Sequence, residues 1–212
     1  MTSDAVIVLG SPRSGTSSVA QALNSLDVFF DADSVMPGNA DNPDGYWEHK
    51  ELAGLFGPIL RSMNQPAHMM DSMPENWREY PRTDYFLRLV REVIQNSFLD
   101  HQLWGWKAPS SSTLVPFILE ALKPLDVRPH FVICVRHPLA VAQSAMKKYG
   151  FTREACIGVW LWKTLEALNS TRGLSAAILP FPEVVQSPRE HLQRVVGLVP
   201  GWIPSQESWT KL

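Results

Sequence analysis

An apolar run, a glycine loop and an amphipathic stretch follow one another at the start of this chain: "AVIVL" at residues 5 to 9, "GSPRSGTS" at 10 to 17, then Val19, Leu23 and Leu26 at helical spacing. Five consecutive apolar residues fit a strand buried on both faces, the usual state of a parallel strand. A strand that passes through a glycine turn straight into a helix is the first half of a βαβ unit, so the chain belongs to the α/β class.

The alternation continues along the sequence. The turn "NPDG" at 42 to 45 leads into a helix expected from about Tyr46 to Met63, and a second helix is expected from 83 to about 100, with Phe86, Leu89, Val90 and Val93 on one face. "LWGWK" at 103 to 107 reads as a short strand ending at Lys107, followed by a helix from Ser112 to Leu122. "HFVICV" at 130 to 135 is the clearest second buried strand, and "RHPLAVAQSAMKK" turns from it into a helix with Pro138 in its first position. The longest helix spans 152 to 170, where Ile157, Leu161, Leu165 and Leu168 are expected to face the core. "AAILPF" at 176 to 181 reads as a further strand. "SPRE" at 187 to 190 starts a helix, with Ser187 as cap and Glu190 closing a capping box. Right-handed crossovers then give a three-layer α/β/α architecture with a central, mostly parallel sheet, expected as a single domain over residues 1–212, with ligands at the carboxyl ends of the strands.

Composition narrows the function classes. With 45% hydrophobic residues in 212, the chain can bury one substantial core, and a formal charge of -2 excludes the basic footprint of a nucleic-acid or polyanionic-glycan binder. Cys134 and Cys156, each within an apolar segment, read as reduced core thiols rather than a disulfide, which suits a cytoplasmic protein. No run of about 18 apolar residues occurs, so a soluble protein without a membrane partner is expected.

The loop carries the chemistry. The phosphate-binding pattern G-x-x-x-x-G-K-[ST] would place Lys after Gly15, where this chain has Thr16. Backbone N–H groups and the positive end of the following helix still attract a tetrahedral anion. The side-chain cation is instead Arg13, which can fork onto oxyanions without a metal, and Thr16 and Ser17 offer hydroxyls.

"GSPRSGTS" resembles the 5′-phosphosulfate loop of the sulfotransferases that use 3′-phosphoadenosine 5′-phosphosulfate (PAPS), and "VRHPLAVAQS" resembles that family's 3′-phosphate motif, with Arg136 at a strand end and Ser144 eight residues on. "NPDGYWEHKEL" and "WGWKAP" are similar to segments of bacterial members, so the resemblance covers most of residues 5 to 190. It implies the P-loop nucleoside-triphosphate-hydrolase-like fold and PAPS as sulfate donor with no metal. Ser11, Pro12, Arg13, Ser14, Gly15, Thr16 and Ser17 would hold the 5′-phosphosulfate, and Arg136 and Ser144 the 3′-phosphate. Lys107 would contact the sulfate or the bridging oxygen, sharing with Arg13 the stabilisation of leaving-group charge.

An acceptor must also lose a proton, and Glu48 and His49 are adjacent candidates for the base. The resemblance favours Glu48, and two neighbours on a helix diverge by about 100 degrees, so one role for both is not expected. His68 and Asp71 come next. Ser18 stands where many members carry a tryptophan against the adenine, and the C-terminal Arg-Lys-Gly segment of cytosolic members is absent. His137 reads as a helix cap or a neighbour of the ligand edge, Lys147 and Lys148 as a solvated face, and Trp160 and Trp162 as packing. Phe56, Met63, His68, Met69, Met70, Met73, Trp77, Tyr80, Tyr85 and Phe86 form an adaptable apolar set suited to a pocket for a small-molecule acceptor. Two other classes stay open: a P-loop kinase, although "HFVICVRHP" has Arg where the magnesium-binding carboxylate would sit, and a non-catalytic nucleotide-binding module, in which Glu48 and Lys107 would be incidental.

Overall fold

Four parallel strands form the sheet of the computed structural model, in the order β2-β1-β3-β4. The structure describes residues 2–38, 45–63, 70 and 72–212. In chain order the strands and helices are β1 (Ser3–Gly10), α1 (Thr16–Ser25), α2 (Lys50–Ser62), α3 (Thr83–Ser97), β2 (Leu103–Lys107), α4 (Ser111–Leu122), β3 (Val127–Arg136), α5 (Pro138–Tyr149), α6 (Arg153–Ser170), β4 (Ala176–Phe181), α7 (Glu183–Gln186), α8 (Pro188–Val196) and α9 (Gln206–Thr210). This is the expected α/β class, with an all-parallel sheet among the described residues.

β1 divides the core by its alternation. Ala5, Ile7 and Leu9 pack with α2, α3 and α4 on one face, together with Trp104, Trp106, Phe131 and Ile133. Val6 and Val8 face the other side, against Val19, Ala20 and Leu23 of α1 and Leu192 and Val195 of α8. Both faces are buried, which is why the five-residue run is uniformly apolar. At the amino ends of the strands, His130 sits 2.8 Å from Asp4 and 2.7 Å from Ser175, and Arg128 donates to Asp4 at 2.7 Å, so one polar cluster ties β1 and β3 to the approach to β4.

Three local expectations need correction, and a fourth lies partly outside the described residues. α2 starts at Lys50 rather than near Tyr46, because His49 caps it by accepting from Leu52 N at 3.4 Å, and Glu48 and His49 therefore precede the helix. Residues 42–44 of the "NPDG" turn lie outside the described residues. Ser187 makes no capping hydrogen bond at the start of α8, so no capping box forms with Glu190. On α6 the core face is Cys156, Lys163, Thr164 and Ala167, whereas Leu161 and Leu165 are exposed. An eighteen-residue helix carrying apolar residues on several sides has no single face that spacing could identify.

Cys134 and Cys156 are both buried and free. Among the described residues, no helix is long and apolar enough to cross a membrane.

Candidate active site

Strand order reverses at β1, since β2 lies on one side of it and β3 on the other, and this is where open α/β sheets form a crevice at the carboxyl ends of their strands. A cavity of about 490 Å³ opens there. Each strand end supplies part of its lining: the loop after β1, Lys107 at the end of β2, Arg136 at the end of β3 and Phe181 at the end of β4.

The loop side is Pro12, Arg13, Gly15, Thr16, Ser17 and Ser18, so the first turn of α1 faces the cavity. Arg13 (φ 70) and Gly15 (φ 86) both take the left-handed backbone conformation. For Arg13 that is a strained state, held by two contacts: its Nε donates to Ser144 Oγ at 2.9 Å, and its carbonyl accepts from Arg136 at 3.1 Å. Ser144 on α5 and Arg136 on β3 thus fix the loop as well as standing beside it. Ser11 and Ser14, expected among the binding residues, are buried and do not line the cavity, and Ser144 reaches it only through Arg13. Against Gly15 of the loop, Phe181 stacks under the Arg136 guanidinium, 5.2 Å from ring centre to Cζ.

Glu48 and Lys107 meet across the cavity wall. Lys107 Nζ donates to Glu48 Oε1 at 2.7 Å, with the lysine side chain 3% exposed and the glutamate 17%. Burial pushes the Lys107 ammonium below its ordinary value, and the Glu48 carboxylate pulls it partly back. Glu48 is aimed by the segment before α2. Met36 N donates to Glu48 O at 2.8 Å, Tyr46 N to Met36 O at 3.2 Å, and Ser17 Oγ to Tyr46 O at 3.1 Å, so residues 46–48 are strapped to the loop itself. Between them Trp47 (φ 55) takes a left-handed turn and lays its indole against Phe30, 6.1 Å between ring centres.

His49 is not a member of this cavity. Its ring is buried between Asp31, 3.4 Å away, and Phe98, 5.1 Å between ring centres, while its Nδ1 caps α2. Extended backbone sends neighbouring side chains to opposite sides, which separates Glu48 from His49 here. His68 and Asp71 lie outside the described residues, as does Met69. The apolar set proposed as an acceptor pocket is mostly core: Phe56, Met63, Trp77 and Phe86 are buried in it, Met73 and Tyr80 pack on it, and Met70 and Tyr85 are exposed.

Several cavity residues were missed. Lys148, read as a solvated lysine, lines the cavity and donates to the Tyr46 hydroxyl at 2.8 Å with its ammonium 4.4 Å from that ring's centre, whereas Lys147 is exposed as expected. Lys163, from the core face of α6, also lines it, and so do Tyr149, Leu60, Pro109 and Ser110. The one sequence signal for Lys163 is a lone charge within the apolar segment "IGVWLWKTL", in helical register with Cys156 and Ala167. Cys134 lies under the loop, but burial pushes its thiol up to about 12, so it is no nucleophile at neutral pH.

No protein-family model matches the chain. No curated protein sequence matches it either. Solved structures do. The sulfotransferase domain from the Synechococcus PCC 7002 olefin synthase matches with a TM-score of 0.53 and 17% identity, over 98% of this chain and 76% of that one. The sulfotransferase domain from the curacin biosynthetic pathway gives 0.53 and 14%, over 97% and 76%. Sulfotransferase STF1 from Mycobacterium tuberculosis H37Rv gives 0.55 and 13%, over 99% and 70%. At such identities the likeness is one of architecture: the chain has the fold of the bacterial sulfotransferase domains.

Proposed function

We propose that the protein is a sulfotransferase that moves a sulfuryl group from PAPS to a hydroxyl, or an amine, of a small-molecule acceptor. The observation that carries this reading is the Glu48–Lys107 pair: a carboxylate and a buried ammonium 2.7 Å apart in the wall of the cavity that the loop after β1 opens into. A transfer enzyme needs both a base for the acceptor proton and a positive charge for the leaving oxygen beside its anion loop.

The residues present suit such a donor. Arg13, Lys107, Arg136, Lys148 and Lys163 line the cavity against one acid, Glu48, among its described lining residues. Its volume is that of a site for one nucleotide-sized ligand. Backbone N–H groups at the start of α1 and the Ser144-anchored Arg13 side chain would hold the 5′ end, and Arg136 the 3′-phosphate. Phe181 offers an aromatic face for the base in the absence of a tryptophan at Ser18. When bound, the donor supplies the activated sulfuryl group.

The remaining chemistry belongs to the chain. Glu48 accepts the proton of the acceptor hydroxyl, and Lys107 sets its ammonium against the negative charge that grows on the leaving oxygen. Their 2.7 Å contact holds the two groups side by side in the cavity wall.

The test is incubation with sulfur-labelled donor and a panel of alcohols, phenols and amines. Label transferred to an acceptor supports the reading. Binding of 3′-phosphoadenosine 5′-phosphate with no transfer to any panel member would leave a nucleotide-binding module.

A further inference from the structure

Three glycines of the sheet and the loop have a plain steric reason. A Cβ on Gly10 or Gly105 would run into a backbone carbonyl, of Cys134 and Val6 respectively, and one on Gly15 into the Phe181 ring. Gly57 is different. It sits inside α2 without a positive φ, and among the described residues a Cβ there would first meet, beyond its own helix backbone and chain neighbours, the Arg61 guanidinium, with Nη1 at 3.3 Å and Cζ and Nη2 at 3.8 Å. That is the far end of a flexible side chain, which can move aside. Pro58 follows, and a proline disfavours helical backbone at the residue before it. Yet Val115 precedes Pro116 inside α4, so glycine is not required for that. A glycine within a helix costs stability relative to alanine. What Gly57 does border is the cavity.

Gly57 and Leu60 of α2, with Pro109 and Ser110 before α4, supply lining that belongs neither to the loop after β1 nor to the ends of β3 and β4. An acceptor must bring its hydroxyl to Glu48 while the donor lies along the loop, so its body takes the side walled by α2 and the connection from β2 to α4. We propose that Gly57 is the specificity-determining residue that sets the width of the acceptor: it leaves room against α2 for a body as broad as a fused ring, which a side chain at that position excludes. This rests on the sulfotransferase reading for the side that the acceptor takes, but not for the width. Leu60 and Pro109 make that side apolar, so its fit is decided by shape and volume, and in such a pocket a single methylene changes discrimination by about 10- to 200-fold.

The experiment measures equilibrium dialysis of two probes that differ in width, 2-naphthol and phenol, with 3′-phosphoadenosine 5′-phosphate present so that neither settles at the loop. It is run on the parent, Gly57→Ala, Gly57→Val and Gly57→Leu. Binding of 2-naphthol should fall in that order, by about 10- to 100-fold at leucine, while phenol loses at least tenfold less. Affinity for the nucleotide should be alike in all four, and if Gly57→Leu does not fold, the alanine and valine variants read the same gradient. Arg61→Ala is added to Gly57→Ala to test the structural alternative, that Gly57 only gives the arginine room. Recovery of 2-naphthol binding in that double variant overturns the proposal. So does failure of the parent to bind 2-naphthol, an equal loss for both probes, or a Gly57→Leu protein that binds 2-naphthol as the parent does. Transfer of sulfur label to the probes is followed in parallel. A graded loss of binding without any transfer keeps the width role and removes the sulfotransferase reading; transfer to both probes that ignores residue 57 does the opposite.

Discussion

Lys107 Nζ stands 2.7 Å from Glu48 Oε1, and the two residues arrive from unrelated parts of the chain, one as the last residue of a buried strand and the other from the extended segment before α2. Removing either charge isolates the other. Glu48→Gln keeps the shape and much of the hydrogen bonding, so nucleotide binding should stay within a few-fold while single-turnover sulfate transfer falls by about 10² to 10⁴. Lys107→Ala should likewise lower turnover more than it weakens binding of the product nucleotide. Near-parental transfer by Glu48→Gln would move the base elsewhere.

Selectivity for a 3′-phosphate should depend on Arg136 and Ser144 in different ways. Arg136 reaches the cavity directly, whereas Ser144 acts by holding Arg13 Nε at 2.9 Å. Arg136→Ala should therefore weaken 3′-phosphoadenosine 5′-phosphate at least tenfold and adenosine 5′-phosphate much less, the scale of a lost charged hydrogen bond. Ser144→Ala frees Arg13 and should weaken both nucleotides together. Calorimetry with the two ligands and no magnesium reads this. A uniform loss from Arg136→Ala would mean that it supports the loop and nothing more.

The polar cluster at the other end of the sheet makes a separate prediction about stability. His130 is 5% exposed and engages Asp4 and Ser175 through its two ring nitrogens. His130→Ala leaves those partners buried with fewer bonds and should cost about 1–3 kcal/mol in urea unfolding. Nucleotide affinity should be unchanged, because this cluster lies at the amino ends of strands whose carboxyl ends form the cavity.

The sequence made the sheet legible and the cavity only in part. Runs such as "AVIVL" and "HFVICV" are apolar because both faces of a central parallel strand are covered, and a strand end is a fixed point, so Lys107 and Arg136 could be placed at the ligand edge from spacing alone. On the sequence, the resemblance favours Glu48 and helical divergence parts it from His49, whereas what separates them in the structure is an extended segment before α2. Lys163, Lys148 and Phe181 come to the cavity through the packing of α5, α6 and β4, a long-range arrangement that leaves no local period. The α6 face shows the same limit, since Leu161 and Leu165 satisfy helical spacing yet point to solvent while a lysine points in.

His49 gives a pH prediction whose sign can be worked out. Burial holds its imidazole below the ordinary value of 6.5, opposed by Asp31. As pH falls through 6.5 the unfolded chain takes up this proton first, so the folded state loses stability from there down to the depressed folded value. His49→Asn retains a side-chain acceptor for Leu52 N but cannot titrate. The parent should therefore lose more stability than His49→Asn between pH 7 and pH 5, measured by urea unfolding at each pH. Parallel losses would show that the buried imidazole does not contribute to acid sensitivity.

The tightest constraint in the cavity is between Gly15 and Phe181, and it yields a test of the whole strand-end arrangement. A Cβ on Gly15 would overlap the Phe181 ring, and its φ of 86 already disfavours any other residue. Gly15→Ala must then push the ring off the end of β4, disturbing the Arg136 guanidinium stacked on it. Two costs are combined, backbone strain and side-chain overlap, and only the second can be relieved from the other side. Gly15→Ala should abolish measurable binding of 3′-phosphoadenosine 5′-phosphate and lower stability. Phe181→Ala should weaken binding through loss of the aromatic face. The double variant should be more stable than the sum of the single effects predicts, with a coupling of about 0.5–3 kcal/mol in a double-mutant cycle of urea unfolding. Strict additivity would mean that the loop and the end of β4 do not press on one another, and that the cavity between them is looser than four strand ends converging on one loop requires.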